Sequence, residues 1–190
     1  MIALVILAAG ASRRLGRPKQ MERLGGETLL ARAVRVAGEA GLGTVFAVVD
    51  AADAVLVAEA RRLRCEVVLN GEAVEGMASS IRAGVGALRG EIPGVVVMTC
   101  DQPAVSAEHL RLLADGAGEK VVASAYAGRR GVPAYFPAHV FGKLMELRRD
   151  AGARNLLREA QVIPLEHGEL DVDTDEELER ARALFGSELA

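Results

Sequence analysis

The sequence predicts an α/β sandwich of three layers, with a mostly parallel sheet between two layers of helices. Three observations carry this. Short apolar runs alternate with longer helical patterns along the chain. The runs are apolar at every position, as in Val95-Val96-Val97-Met98, which suits strands covered on both faces. And 190 residues, 51% of them hydrophobic, are enough for a single domain around a sizeable core.

The elements follow in order. Residues 2–7 read as a first strand, followed by a loop rich in small and basic residues and a helix over 29–40. A strand over 44–49 leads into a helix over 51–63, then a strand over 66–69 and a helix over 78–88. The most hydrophobic strand, 94–99, precedes a helix over 107–115, for which Ser106 is the better N-cap with Glu108 close behind. A strand over 121–125 follows. Residues 123–137 then break the pattern: Tyr126, Gly128, Gly131, Pro133 and Pro137 predict a loop with at most one irregular strand. Helices over 138–147 and 152–160, a strand over 162–164 and a last helix over 175–185 complete the chain. Crossovers between parallel strands are expected to be right-handed.

Composition limits the function. With 23 basic and 26 acidic residues the net charge is −3, so a nucleic-acid binder or a membrane-surface binder is not expected. Aromatics are 3% with no Trp, which disfavours base-stacking platforms. Cys65 and Cys100 show no CxxC spacing and read as small buried hydrophobes in a reducing compartment. No apolar run is long enough to span a bilayer, and no basic segment precedes the first strand as in a signal peptide. The expected location is the cytoplasm, as a monomer or weak homo-oligomer.

In open α/β sheets ligands sit beyond the carboxyl ends of the strands. The segment after the first strand runs Leu7-Ala8-Ala9-Gly10-Ala11-Ser12-Arg13-Arg14-Leu15-Gly16-Arg17-Pro18-Lys19. Small residues let backbone N–H groups approach an anion, and consecutive N–H groups form a nest. Arg14 supplies a guanidinium fork and Lys19 a mobile point charge, so the segment reads as a triphosphate cradle. A dinucleotide fingerprint fails because Ser12 stands where a second Gly is needed. A P-loop fails because Arg17, not Lys, follows Gly16, and Pro18 precludes the required helix start.

Two acidic segments complement the cradle. In Cys100-Asp101-Gln102-Pro103, a carboxylate at the mouth of a buried strand needs compensation. Mg²⁺ provides it, taking one or two carboxylates, then phosphate oxygens and water. In the second segment Thr174 or Asp175 caps the last helix, and acidic residues there suit its positive end. On a strand Asp171 and Asp173 would share one face, so spacing leaves both open as the second metal ligand.

Taken together, the motifs resemble the MobA-like NTP transferase family, in particular its molybdenum cofactor cytidylyltransferase branch. L-A-A-G-x-S-x-R-(M/L)-G-x-x-K is matched from Leu7 to Lys19, and N-x-x-x-x-x-G-M-x-x-S by Asn70, Gly76, Met77 and Ser80. D-Q-P is Asp101-Gln102-Pro103; G-x-P is Gly131 to Pro133; G-D-x-G-A-R is matched by Asp150, Gly152, Ala153 and Arg154. D-x-D-T-x-E-D-L runs from Asp171 to Leu178, with Glu177 in place of the last Asp. Arg149 stands for Gly before Asp150, Val132 for the frequent His or Asn before Pro133, and Asp50 for the usual Gly.

The resemblance implies a nucleotide-diphospho-sugar-transferase-like, Rossmann-like sandwich forming one nucleotidyltransferase domain over 1–190. Residues 1–105 would be its nucleotide-binding half and 106–190 its acceptor-binding half. Leu7, Ala8, Ala9 and Gly10 would hold base and ribose, Arg14 and Lys19 the phosphates, and Asn70 and Ser80 the sugar or base. Asp101 and Asp173 would bind Mg²⁺, with Arg14, Lys19 and Asp101 as catalytic residues. Gly131, Pro133, Asp150 and Arg154 would hold the acceptor. The implied reaction moves CMP from CTP to the terminal phosphate of a molybdopterin cofactor, with pyrophosphate released. A molybdoenzyme or its chaperone would be a partner. Guanylyltransferases of the family carry Gly where this chain has Ala9, and D-x-P without Gln. Rivals are transfer to a sugar or alcohol phosphate, a non-catalytic nucleotide- or cofactor-binding module, and a nicotinamide reductase, disfavoured by the failed fingerprint. Arg129, Arg130, Arg148, Arg149 and Arg154 gather around the acceptor motifs and suit an anionic acceptor.

Overall fold

The computed structural model describes residues 1–116, 118–148 and 153–186. Its main sheet has seven strands: β1 (Ala3–Leu7), β4 (Val45–Asp50), β5 (Glu66–Asn70), β6 (Gly94–Thr99), β7 (Val122–Tyr126), β8 (Arg129–Pro137) and β9 (Gln161–Pro164). The order is β5-β4-β1-β6-β8-β7-β9, and only β8 pairs antiparallel with its neighbours. The mostly parallel sandwich expected from the sequence is therefore present.

The layers follow from the two-residue period of a strand. Leu4 and Ile6 of β1 point into one apolar cluster with Val34 and Ala37 of α1 (Leu29–Ala40), Leu56 of α2 (Ala54–Arg62) and Leu110 of α4 (Ala107–Asp115). Ala3, Val5 and Leu7 point into the other, with Ile81 and Val85 of α3 (Met77–Ala87), Leu144 of α5 (Phe141–Met145) and Leu157 of α6 (Arg154–Leu157). Gly84 brings α3 close to the sheet: a Cβ there would stand 2.4 Å from Val5 Cγ1.

The remaining differences have local causes. Residues 129–137 are a full strand, because Tyr135 and Phe136 are buried and pair with Val96 and Val95 of β6. The predicted breakers sit at an irregularity: the β7–β8 register jumps from Ala123↔Ala134 to Ser124↔Gly131, leaving Val132 and Pro133 outside the ladder, where proline's missing N–H does no harm. The helix expected over 138–147 is a 3₁₀ turn at Ala138–Val140 followed by the short α5, and within 152–160 the described helix is only α6. A small hairpin, β2 (Arg23–Leu24) with β3 (Glu27–Thr28), turns on Gly25 and Gly26, both at positive φ. Its Leu24 packs with Leu29, Leu170, Val172 and Leu178, the last on α7 (Asp175–Phe185). This third cluster holds the acidic segment before α7 against the sheet's carboxyl edge. Among the described residues no helix is long and apolar enough to cross a membrane.

Candidate functional site

The chain leaves β1 through small residues because the space beyond is needed. Ala8 and Ala9 are buried, and a Cβ added to Gly10 would meet no atom within 4 Å. The loop's shape is held from inside by Gln20, a residue that motif reasoning missed. Its buried amide nitrogen donates to the carbonyls of Ala8 (2.7 Å) and Gly10 (2.8 Å). Ser12, in the left-handed region at φ 47°, accepts the Lys19 N–H on Oγ at 3.0 Å. That bond fixes the backbone from which the Lys19 side chain extends. A glutamine after a cationic loop belongs to none of the motifs; only the folded loop shows that its amide ties two of the loop's carbonyls together.

The two acidic segments meet although they are far apart in the sequence. The Val172 N–H donates to the Asp101 carbonyl at 2.9 Å, and the Val172 side chain is buried in the third cluster. An apolar anchor between two aspartates thus sets both beside Asp101. No strand forms there. Thr174 is the N-cap of α7, accepting from the Glu177 N–H at 3.2 Å, while Glu177 accepts from the Asp173 N–H at 3.0 Å. Ser106 caps α4 as expected, accepting from the His109 N–H at 3.1 Å.

The Lys19 ammonium sits between the two carboxylates. It donates to Asp101 Oδ2 and, at 2.5 Å, to Asp173 Oδ1. Burial alone would lower the lysine's proton affinity; the charges and hydrogen bonds of Asp101 and Asp173 outweigh it and hold the ammonium above its ordinary range. Arg14, largely exposed, pairs with Asp173 Oδ2. Asp101 Oδ1 is buried and, among the described residues, has no hydrogen-bond partner. Asp171, partly buried, lies to one side and meets Arg129 at 3.9 Å instead. Burial first, and then repulsion from Asp101 and Asp173, push its carboxyl up to about 7 against the pull of Arg129 and Lys19. Lys19 therefore brings Asp101 and Asp173 to one point, and Asp171 stays to the side.

Beside this cluster lies a cavity of about 480 Å³. Leu7, Ala8, Ala9, Gly10, Lys19, Ser80 and Asp101 line it, so most of the predicted nucleotide residues share one space. Arg13, Asp50 and Met77 line it too and were not among them. Asn70 stands one step behind the wall: its amide nitrogen lies 2.9 Å from Ser79 Oγ and 3.1 Å from Ser80 Oγ, and its Oδ1 accepts the Glu72 N–H. Asn70 therefore shapes the rim that carries Ser80.

The antiparallel run of β8 carries Pro133 and Gly131 beyond its last pair with β6, Val97↔Ala134, towards the carboxyl end of that strand. Gly131 leaves room for Tyr126, whose hydroxyl a Cβ would approach to 2.1 Å. Tyr126 donates to the Val132 carbonyl (3.1 Å), and the Arg129 guanidinium lies 5.1 Å from its ring centre. Gln102 links this side to the Asp101 turn, donating to the Gly168 carbonyl (3.0 Å) and the Tyr126 hydroxyl (3.3 Å). Behind it a buried relay runs from His109 Nε2 to Ser124 Oγ (2.7 Å), which donates to the Pro133 carbonyl (2.7 Å). Arg154 starts α6, exposed, and no hydrogen bond or ion pair among the described residues joins it to Asp101, Lys19 or Asp173. Asp150, with Arg149 and Gly152, lies outside the described residues.

Residues 4–166 match the family described as the MobA-like NTP transferase domain. The purine catabolism protein PucB of Bacillus subtilis (strain 168) is 31% identical over 193 residues, covering 94% of each chain. A probable molybdenum cofactor guanylyltransferase of Opitutus terrae is 34% identical over 106 residues, 56% of this chain and 50% of that one. The nicotine blue oxidoreductase of Paenarthrobacter nicotinovorans is 32% identical over 165 residues, 82% of this chain and 80% of that one. Among solved structures, the manganese complex of Rv0371c from Mycobacterium tuberculosis H37Rv superposes with a TM-score of 0.80 at 27% identity, covering 96% of this chain and 98% of that one.

Proposed function

From the premise that this chain belongs to the MobA-like NTP transferase family, a family of nucleotidyltransferases, we propose that it transfers CMP from CTP to the terminal phosphate of a molybdopterin cofactor. The observation that carries the reading is the Lys19 ammonium held between Asp101 and Asp173 at the wall of a nucleotide-sized cavity.

The donor set fits a divalent cation. Two carboxylates from distant parts of the chain converge on one positive charge, and the buried Asp101 Oδ1 has no hydrogen-bond partner among the described residues. Among the described residues no group of three or more His, Cys, Asp or Glu could hold a metal by itself, which suits an ion completed by substrate phosphate and water. Asp101 and Asp173 would hold Mg²⁺, and the manganese complex of a relative supports a divalent site. When bound, the ion neutralises phosphate charge and polarises the phosphorus centre.

The chain's own residues position and neutralise. The small residues from Ala8 to Gly10 admit the nucleotide against the loop. In the reaction an acceptor oxygen forms a bond to the α-phosphorus while the α–β bridging bond breaks and pyrophosphate leaves. Lys19 and Arg14 supply the positive charge that the leaving group needs. A phosphate monoester has a second pKa of about 6 and is largely dianionic at neutral pH, so no general base is required. The histidines agree: His109 is buried behind β7, and His139 and His167 lie outside the cavity wall. On the acceptor side Gly131, Pro133, Arg129 and Arg154 would meet the anionic acceptor.

Ala9 lines the cavity, and its methyl narrows the pocket towards a pyrimidine, an effect of about 1–3 kcal/mol. Gln102, spent on Tyr126, Gly168 and Thr99, acts through the scaffold and does not reach the base. The test is a matrix of each NTP against molybdopterin and simpler sugar and alcohol phosphates, read as pyrophosphate formed. CTP with molybdopterin should give the highest kcat/KM. Equal values for CTP and GTP sink the pyrimidine preference, and a faster sugar phosphate sinks the acceptor. The relative named as an oxidoreductase motivates one rival, reduction by a nicotinamide cofactor. Oxidation of NADH or NADPH should be absent, as the failed dinucleotide fingerprint expects.

A further inference from the structure

We propose that Lys19 makes this site select the metal–nucleotide complex over either component alone, because its ammonium fills the place between Asp101 and Asp173 until both arrive. The inference rests on the metal–nucleotide reading above and adds a linkage to it.

Without ligand, the groups assigned to phosphate and those assigned to metal satisfy each other. Lys19 bonds to both carboxylates, and Arg14 bonds to the second oxygen of Asp173. A divalent ion entering alone must displace Lys19 and Arg14 from Asp173 and offers them no anion in exchange. A triphosphate entering alone must draw the same two cations away, leaving two bare carboxylates beside its own negative charge. When both enter together, the metal takes the carboxylates and the phosphates take the cations, so the ion pairs are exchanged and none is lost. Asp101 Oδ1, buried and without a hydrogen-bond partner among the described residues, is a coordination position that Lys19 does not use.

The chain is built for this exchange. The Lys19 backbone is held in place, its N–H by Ser12 Oγ at 3.0 Å and its carbonyl by the Glu22 N–H at 3.0 Å. Beyond that point it is a flexible four-carbon stem with a compact charge, able to swing from carboxylate to phosphate. Arg14 is exposed over most of its side chain and leaves Asp173 readily. Linkage requires that the coupling be reciprocal: nucleotide tightens metal by the same factor that metal tightens nucleotide.

The test uses the full chain free of nucleotide, titrated with Mn²⁺ alone and followed by water-proton relaxation. Lys19→Met should bind Mn²⁺ about tenfold more tightly than the unaltered protein, the usual scale of such coupling. Its fold is checked by circular dichroism. Should that variant not fold, Arg14→Gln takes its place, because Arg14 is exposed, and it should shift Mn²⁺ binding in the same direction by less. Equal Mn²⁺ affinity in the unaltered protein and the folded variant overturns the proposal. A repeat with CTP or GTP present separates the two failures. Ternary complexes that form normally, with no gain for Mn²⁺ alone, overturn only the selection by Lys19; no Mn²⁺ bound under any condition overturns the metal–nucleotide reading itself.

Discussion

The two sides of the cleft are built on opposite plans. The proposed nucleotide side is one continuous segment of thirteen residues, Leu7 to Lys19, stapled from within by Gln20 and Ser12. The proposed acceptor side is assembled from pieces, β7, β8 and the segment before α7, joined to one another and to the Asp101 turn by Tyr126, Gln102 and the His109–Ser124 relay. A loop that must wrap phosphates needs small residues and charges at fixed local spacing. A surface that meets a variable acceptor needs only a scaffold, and its contacts can come from anywhere in the chain.

The first way to break this comparison is at Gly10. Gly10 lines the cavity and its Cβ position meets no protein atom within 4 Å, so Gly10→Val should raise the KM for nucleotide by at least about 100-fold, since each added carbon in a pocket weighs about 1–3 kcal/mol. The melting temperature should barely move, because nothing in the protein is touched. A large loss of stability with unchanged KM would show that Gly10 serves the fold and not the ligand.

A smaller change should separate the sides. Arg129→Ala removes the guanidinium that spans Tyr126 and Asp171. Steady-state kinetics should show the acceptor KM rising about tenfold, the scale of one charge-assisted hydrogen bond, while the nucleotide KM stays. Equal changes in both would mean that the two sides do not act separately.

The smallest effect concerns acid stability. Burial holds the His109 imidazole below its ordinary proton affinity, so the folded protein favours the neutral ring. The sign follows: this contribution is whole above about pH 6.5, the ordinary value, and is lost as pH falls through the depressed folded value. Urea midpoints should fall between pH 7.5 and pH 5, and His109→Gln should flatten that slope. The same slope in the variant would remove His109 from the acid sensitivity of the acceptor-side scaffold.

The comparison also explains what the sequence disclosed. Helices 29–40, 107–115 and 175–185 and the strand 94–99 were legible to the residue, because periodicity and caps such as Ser106 and Thr174 are local signals. The small and basic residues of the loop after β1 were legible for the same reason. β8 was not: Gly131 and Pro133 are breakers by composition, and only its pairing with β6 shows that the ladder passes around them. The β2–β3 hairpin had a local signal in Gly25-Gly26, and a search for two-residue turns finds it. The choice between Asp171 and Asp173 was closed to spacing, since Val172 sets their directions through a cluster of residues far apart in sequence. Gln20 was hidden because its importance lies in two carbonyls that exist as acceptors only once the loop is formed.

Everything proposed for this site depends on Asp101, and its removal is the most direct measurement. With CTP, molybdopterin and saturating Mg²⁺, Asp101→Ala should lower the rate of pyrophosphate release by at least about 1000-fold, the upper scale for losing one electrostatic group in a catalytic site. The far-ultraviolet spectrum should remain that of the unaltered protein. Turnover near the unaltered rate, at the same Mg²⁺ concentration, would contradict the account.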